Sequence, residues 1–228
     1  MIFMSKPTVG KTKTNANNTN KNSSPKNVKK SPKKSPKKKI KVTFLKSGFL
    51  QHDYPVHNKK EVAFVGRSNA GKSSLINAIA GENIAHVSQT PGKTRLLNFF
   101  AFGESYVLVD MPGYGFASRS GDEITEWQKA IETYLDSRKC LGGLVLVMDV
   151  RRDWEEHEKM LLRFANKIGV PMVVAMTKID RLNQKELKER LNEIKKHAHT
   201  SLLFPISSTT HVGYREMEEY IYKEWIKA

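Results

Sequence analysis

Eight residues, Gly66-Arg67-Ser68-Asn69-Ala70-Gly71-Lys72-Ser73, have the types and spacing to hold a phosphate. They satisfy the pattern G-x-x-x-x-G-K-[ST] at every fixed position. The two glycines let the main chain turn tightly and approach phosphate oxygens. Successive N–H groups and the start of a following helix, at Ser73 and Ser74, favour an anion. In this pattern the Lys72 ammonium reaches the β- and γ-phosphates and the Ser73 hydroxyl ligates Mg²⁺. Three later clusters add to it. Asp110-Met111-Pro112-Gly113 supplies a carboxylate for the metal, directly or through water, and a glycine N–H for a terminal phosphate. Thr177-Lys178-Ile179-Asp180 and Ile206-Ser207-Ser208 supply a cation, a carboxylate and hydroxyls.

Each cluster follows an apolar run that reads as a strand. Glu61-Val62-Ala63-Phe64-Val65 precedes the phosphate loop, and a helix with Leu75, Ile76 and Ile79 on one side follows it, capped by Gly81. Leu96 to Phe102 and Tyr106 to Asp110 read as a hairpin turned by Gly103-Glu104. Gly143 to Asp149 and Met172 to Met176 are continuous apolar runs, as central parallel strands require. Leu202 to Ile206 is a short strand, and Ile40 to Phe44 alternates as a half-buried or edge strand would. Helices are expected over Asp122 to Arg138, Asp153 to Ile168, Asn183 to His197 and Tyr214 to Trp225. Basic residues are expected in the last turn of the first of these. The stretch Tyr114 to Ser118 is Gly-flanked and expected to be mobile. The alternation predicts an α/β three-layer sandwich around a mostly parallel sheet. Ligands bind such sheets beyond the carboxyl ends of the strands, where all four clusters fall.

The formal charge of +16 belongs to one end of the chain. Residues 1–46 hold 14 lysines and no acid, while the remaining 25 basic residues face all 23 acidic ones. Residues 1–39 are poor in apolar side chains and predicted to be a disordered tail; 40–228 form the folded domain. The tail repeats Ser31-Pro32-Lys33-Lys34 as Ser35-Pro36-Lys37-Lys38. It reads as an electrostatic arm for nucleic acid, as a plain solvating tail or as a targeting peptide, the last opposed by the lack of Arg and of amphipathic periodicity. No run approaches the roughly 18 apolar residues of a spanning helix, so no membrane partner is expected. Cys140 stands alone and reads as a buried, inert thiol. Arg151-Arg152 could touch RNA or simply be solvated.

The order of the motifs resembles the translation-factor class of GTPases. Gly66 to Asn77, Thr90-Pro91-Gly92-Lys93-Thr94 with Asn98-Phe99-Phe100, and Asp110 to Gly115 are similar to the EngB family, a likeness covering about residues 40 to 228. The resemblance implies a Ras-like P-loop GTPase domain using GTP/GDP and Mg²⁺. It implies a monomer acting in assembly of the large ribosomal subunit, with rRNA as partner. In bacteria that is cytoplasmic; eukaryotic relatives are organellar. Carried over, Lys72 and the loop backbone hold phosphates, and Ser73, Thr94 and, in the second shell, Asp110 hold Mg²⁺. Thr90 is the alternative to Thr94. Lys72, Thr94 and Gly113 are the implied catalytic residues, with Gly92 and Lys93 beside the nucleotide. Asp180 accepts from guanine N1–H and the 2-amino group, Lys178 lies over the base, and Ser207 and Ser208 contact the O6 region. Thr177 stands where many GTPases have Asn. Tyr114 stands where Ras-like enzymes carry a water-orienting Gln, which implies slow intrinsic turnover. Asn69 occupies the position of a K⁺-binding Asn. A P-loop kinase would leave Thr177 to Asp180 unexplained. A nucleotide-dependent nucleic-acid-binding module with little hydrolysis is the alternative.

Overall fold

The first buried strand sits where its composition requires, near the middle of a seven-stranded sheet ordered β1-β3-β4-β2-β5-β6-β7. The structure, a computed structural model, describes residues 40–85, 96–114, 121–198 and 202–227, and only the backbone of 121–128. The proposed arm at 1–39 and the loop holding Thr90, Gly92, Lys93 and Thr94 lie outside the described residues.

The strands are β1 (Val42–Gly48), β2 (Glu61–Gly66), β3 (Leu97–Phe102), β4 (Tyr106–Asp110), β5 (Leu141–Asp149), β6 (Met172–Thr177) and β7 (Leu203–Pro205). β4, β2, β5, β6 and β7 run parallel. β3 is antiparallel to both β4 and β1, as the expected hairpin requires. The helices are α1 (Lys72–Ala80), α2 (Gly121–Ser137), α3 (Glu156–Lys167), α4 (Gln184–Ala198) and α5 (Tyr214–Ile221), the last continued by a π-helical turn, Tyr222–Ile226.

Because side chains alternate along a strand, β2 serves both layers at once. Val62 and Phe64 join a core with Leu75 and Ile76 of α1 and Met217 and Ile221 of α5. Ala63 and Val65 join the opposite core with Ile131 of α2, Leu161 of α3 and Ile194 of α4. This is the three-layer sandwich.

Three local expectations change. β1 runs on to Gly48 as an edge strand, its side chains mostly exposed, with an irregularity between Phe44 and Lys46. The last turn of α2 contains no basic residue. Arg138 falls just beyond it, and its guanidinium turns inward to Glu61 instead of outward to the helix end. α3 starts at Glu156 and not at Asp153, because Glu155 is extended (φ −101°, ψ −173°) and its N–H donates to Glu158 Oε2 at 3.0 Å.

Candidate functional site

The phosphate loop closes between β2 and α1. A Cβ on Gly66 would lie 2.3 Å from the carbonyl oxygen of Val147, so only glycine lets the end of β2 approach β5 this closely. Ser68 N–H donates to the Tyr114 carbonyl at 2.9 Å and Ala70 N–H to the Arg67 carbonyl at 3.0 Å. These bonds brace the loop. The first turn of α1, at Lys72, Ser73 and Ser74, carries N–H groups with no helical acceptor, which suits an anion.

Parallel pairing of β4 with β2 brings Asp110 opposite Phe64. There the Asp110 carboxylate forms an ion pair with Lys72 Nζ, both side chains nearly buried. Two sequence motifs 38 residues apart therefore meet in one corner. Serine hydroxyl and aspartate carboxylate are hard oxygen ligands of the kind Mg²⁺ takes, so Ser73 and Asp110 fit that ion. Met111 and Pro112 are buried, with Met111 in the core, so Met111 can face a ligand only through its main chain. A Cβ on Gly113 would lie 2.9 Å from Ser68 Oγ, so this residue sits directly against the phosphate loop.

Tyr114 departs from the expected mobile stretch. It is 2% exposed, and it bridges to Arg67 in parallel register. Its hydroxyl donates to Glu158 Oε1 at 2.6 Å and its ring stacks on His157. Residues 115–120 lie outside the described residues.

The other end of the site is built from β6 and β7. The Thr177 hydroxyl is buried between the carbonyls of Ala70 and Met148, at 2.5 and 3.0 Å. It ties the phosphate loop to the sheet. Lys178 takes a left-handed conformation (φ 60°), which swings its ammonium to the Asn69 carbonyl at 2.6 Å and to Asp149 Oδ2 at 3.0 Å. Burial acts to raise the Asp149 carboxyl, but hydrogen bonds from Arg151 and Lys178 outweigh it and hold it well below the usual range. The Arg151 fork donates Nε to Oδ1 at 2.9 Å and Nη2 to Oδ2 at 2.7 Å. Arg151 pairs with Asp149 while its side chain stays half-exposed.

Ser207 also has a different part from the one expected. It is wholly buried, and its hydroxyl donates to Asp180 Oδ1 at 2.6 Å while accepting from Thr210 N–H at 3.1 Å. That bond holds the Asp180 carboxyl below its ordinary range. Ser207 thus fixes the Asp180 carboxylate, and Ser208 beside it is half-exposed. Ile206 is buried, and its carbonyl accepts from Ile179 N–H at 3.3 Å.

Sequence reasoning missed Glu158, Glu155 and Arg67 as partners. Glu158 lies in a charged helical stretch where it looks like any exposed glutamate. Asp149 carries a signal in the sequence, a lone carboxylate at the end of an apolar strand.

Fold and site together define a P-loop GTPase: a doubly covered parallel sheet, a phosphate loop, and an aimed carboxylate beyond β6. The family model described as "50S ribosome-binding GTPase" matches residues 61–178. A probable GTP-binding protein EngB of Bdellovibrio bacteriovorus is 52% identical over 186 residues, 82% of this chain and 93% of that protein. The one from Kosmotoga olearia is 38% identical over 78% of this chain and 95% of its own length. Among solved structures, a probable EngB superposes with a TM-score of 0.62 at 22% identity, covering 74% of this chain and all of that one. Era, solved with MgGDPNP and nucleotides 1506–1542 of 16S ribosomal RNA, has a TM-score of 0.59 at 23% identity over 74% of this chain and 57% of its own. At these identities both structures speak for the fold. The chain belongs to the EngB family of GTP-binding proteins, and it is a GTP hydrolase.

Proposed function

We propose that the protein is a Mg²⁺-dependent GTP switch acting in assembly of the large ribosomal subunit. The observation that carries this is the meeting of Lys72 and Asp110 at the phosphate loop in a chain matched by a 50S ribosome-binding family model. Lys72 and the first turn of α1 hold the phosphates. Ser73 and Thr94 would hold Mg²⁺, with Asp110 supporting it through water, and the ion would supply positive charge against the phosphates. Lys72, paired with Asp110 in this structure, would turn its ammonium to the phosphate. Gly113 N–H meets the terminal phosphate. Asp180, aimed by Ser207, accepts from guanine N1–H and the 2-amino group, a donor pair adenine lacks.

No glutamine follows Gly113, and the Tyr114 hydroxyl is committed to Glu158. Tyr114 therefore does not orient the attacking water, and intrinsic turnover is slow until a partner or cation assists. Asn69 is the ligand offered to K⁺; equal rates in KCl and NaCl would remove that part. The Lys-rich arm adds salt-sensitive affinity for rRNA. That Era, of the same fold, was solved with ribosomal RNA supports this partner class. The protein acts as a monomer, in the bacterial cytoplasm if its source is bacterial. Among the described residues no helix is long and apolar enough to cross a membrane.

Co-sedimentation with purified large subunits tests the reading. Retention with a non-hydrolysable GTP analogue and release with GDP is expected. Retention that ignores the nucleotide and disappears with added salt would reduce the association to the arm's charge.

A further inference from the structure

Gly113 faces the phosphate loop, and the residue after it carries a second set of contacts that the switch described above does not use. Tyr114 is joined to the loop through its main chain. Its N–H donates to the Gly66 carbonyl at 3.2 Å, and its own carbonyl accepts from Ser68 N–H at 2.9 Å. It is joined to α3 through its side chain, by the hydroxyl bond to Glu158. Glu158 is wholly buried, and its second oxygen accepts Glu155 N–H. Glu155 returns to the loop by an ion pair with Arg67 Nη1 at 2.5 Å. Phosphate loop, Tyr114, Glu158, Glu155 and Arg67 make a closed circuit.

A cavity of about 390 Å³ is lined both by Arg67, Ser68 and Asn69 of the loop and by Glu158 of α3, so the bonded circuit borders open space beside the phosphate loop. Among the described residues no cation pairs with Glu158, so its buried carboxylate depends on the Tyr114 hydroxyl and one N–H. A bond of this kind is costly to leave unmade.

We propose that Glu158 is a positioning residue for recognition of the terminal phosphate. It fixes Tyr114, and through Tyr114 fixes Gly113 against Ser68, so that the protein prefers nucleoside triphosphate over diphosphate. The first turn of α3 is where that difference is transmitted. The inference rests on the phosphate site assigned above to residues 66–73 and 110–113. A diphosphate has no group opposite Gly113, so loosening this residue penalises the triphosphate alone. The penalty is of the order of ordering one further residue on binding, about tenfold in affinity.

The test measures affinity of the full chain for GDP and for a non-hydrolysable GTP analogue, in Tyr114→Phe, Glu158→Ala and Glu158→Gln. Tyr114→Phe keeps the ring on His157 and removes only the hydroxyl. It is expected to weaken the analogue about tenfold and GDP less than twofold. Glu158→Ala is expected to match it. Glu158→Gln keeps an acceptor for the hydroxyl and restores most of the preference. Equal losses for both nucleotides, or no loss for the analogue, would overturn the proposal. If Glu158→Ala does not fold, Tyr114→Phe decides alone. Lys72→Ala separates the two readings: it should lose both nucleotides. If it binds them normally, the phosphate-site assignment fails, and this inference falls with it.

Discussion

Each end of β2 faces a buried glutamate held by a tyrosine hydroxyl, and the two are built differently. At the first end Glu61 is wholly buried and accepts from Tyr134 at 2.7 Å. It also has its own cation: Arg138 Nη2 donates to Oε1 at 2.6 Å, and Nε lies 3.0 Å from both oxygens. His57 Nε2 lies 2.9 Å away. Arg138 is further held by the Pro55 carbonyl and lies over the rings of Tyr54 and Phe99. Cys140 is half-buried and not buried as expected, yet partial burial and the nearby Glu61 carboxylate push its thiol up, consistent with an inert cysteine. Ligand atoms of His57, Glu61 and Cys140 come within 4.8 Å of one another, but the cation at this cluster is Arg138. At the far end Glu158 has a tyrosine and a main-chain N–H, both neutral. The comparison separates a staple from a coupling. A charge buried with its counterion holds strands and helix together away from the ligand; a carboxylate held by neutral donors beside the phosphate loop fixes the residue next to Gly113.

The largest expected effect belongs to the staple. Arg138→Met strands the Glu61 charge and should cost about 3–5 kcal/mol of stability. Denaturant unfolding measures it, and the ratio of GTP-analogue to GDP affinity should not move. A changed ratio would break the comparison. Tyr134→Phe removes one donor from the same carboxylate and should cost about 1–3 kcal/mol, again without touching nucleotide preference. Set beside Tyr114→Phe, it sharpens the contrast: similar chemistry lost, opposite functional readout.

At the nucleotide end, Ser207→Ala releases Asp180 from its aiming bond. Guanine nucleotide affinity should fall about tenfold to a hundredfold, the ~1.5–3 kcal/mol of one hydrogen bond to a charged group, and melting should fall as well because Thr210 N–H loses its buried acceptor. A competition assay against ATP reads the accompanying loss of selectivity. The smallest effect is expected from Arg151→Gln, since the arginine side chain is half-exposed and its ion pair is screened by solvent; only a slight fall in melting temperature is expected at neutral pH. The Asp149 pKa is strongly depressed in the fold, so its contribution is fully present above the unfolded carboxyl value of about 3.9 and is lost progressively as pH falls from there through the much lower folded value. The gap between wild type and variant should therefore be widest at neutral pH, begin to narrow below about pH 4 and still be closing at the lowest pH at which thermal melting can be followed.

The parts legible in the sequence were those held by neighbours in the chain. Residues 66–73, 110–113 and 177–180 depend on contiguous turns and on strand or helix periodicity, so each could be recognised alone, and their positions after strands implied one common edge. Arg138 shows the limit. In sequence it is a basic residue at a helix end; in the fold its contact is 77 residues away at Glu61. Tyr114 looked like part of a glycine-rich loop, and its partner Glu158 stands 44 residues on. Thr177, distinguished in the sequence only by standing where many GTPases have Asn, reaches Ala70 across 107 residues.

The sequence by itself determined the phosphate loop, the elements on either side of it, the alternation that makes a doubly covered sheet, and the split between a lysine-rich arm and a nearly neutral domain. Only the tertiary structure decided that Lys72 meets Asp110, that Ser207 aims Asp180, and that Tyr114 is clasped to α3. The reason is one of range. Backbone conformation and periodicity are set within a few residues, whereas those pairings follow from strand order and register, which only simultaneous burial of both sheet faces selects.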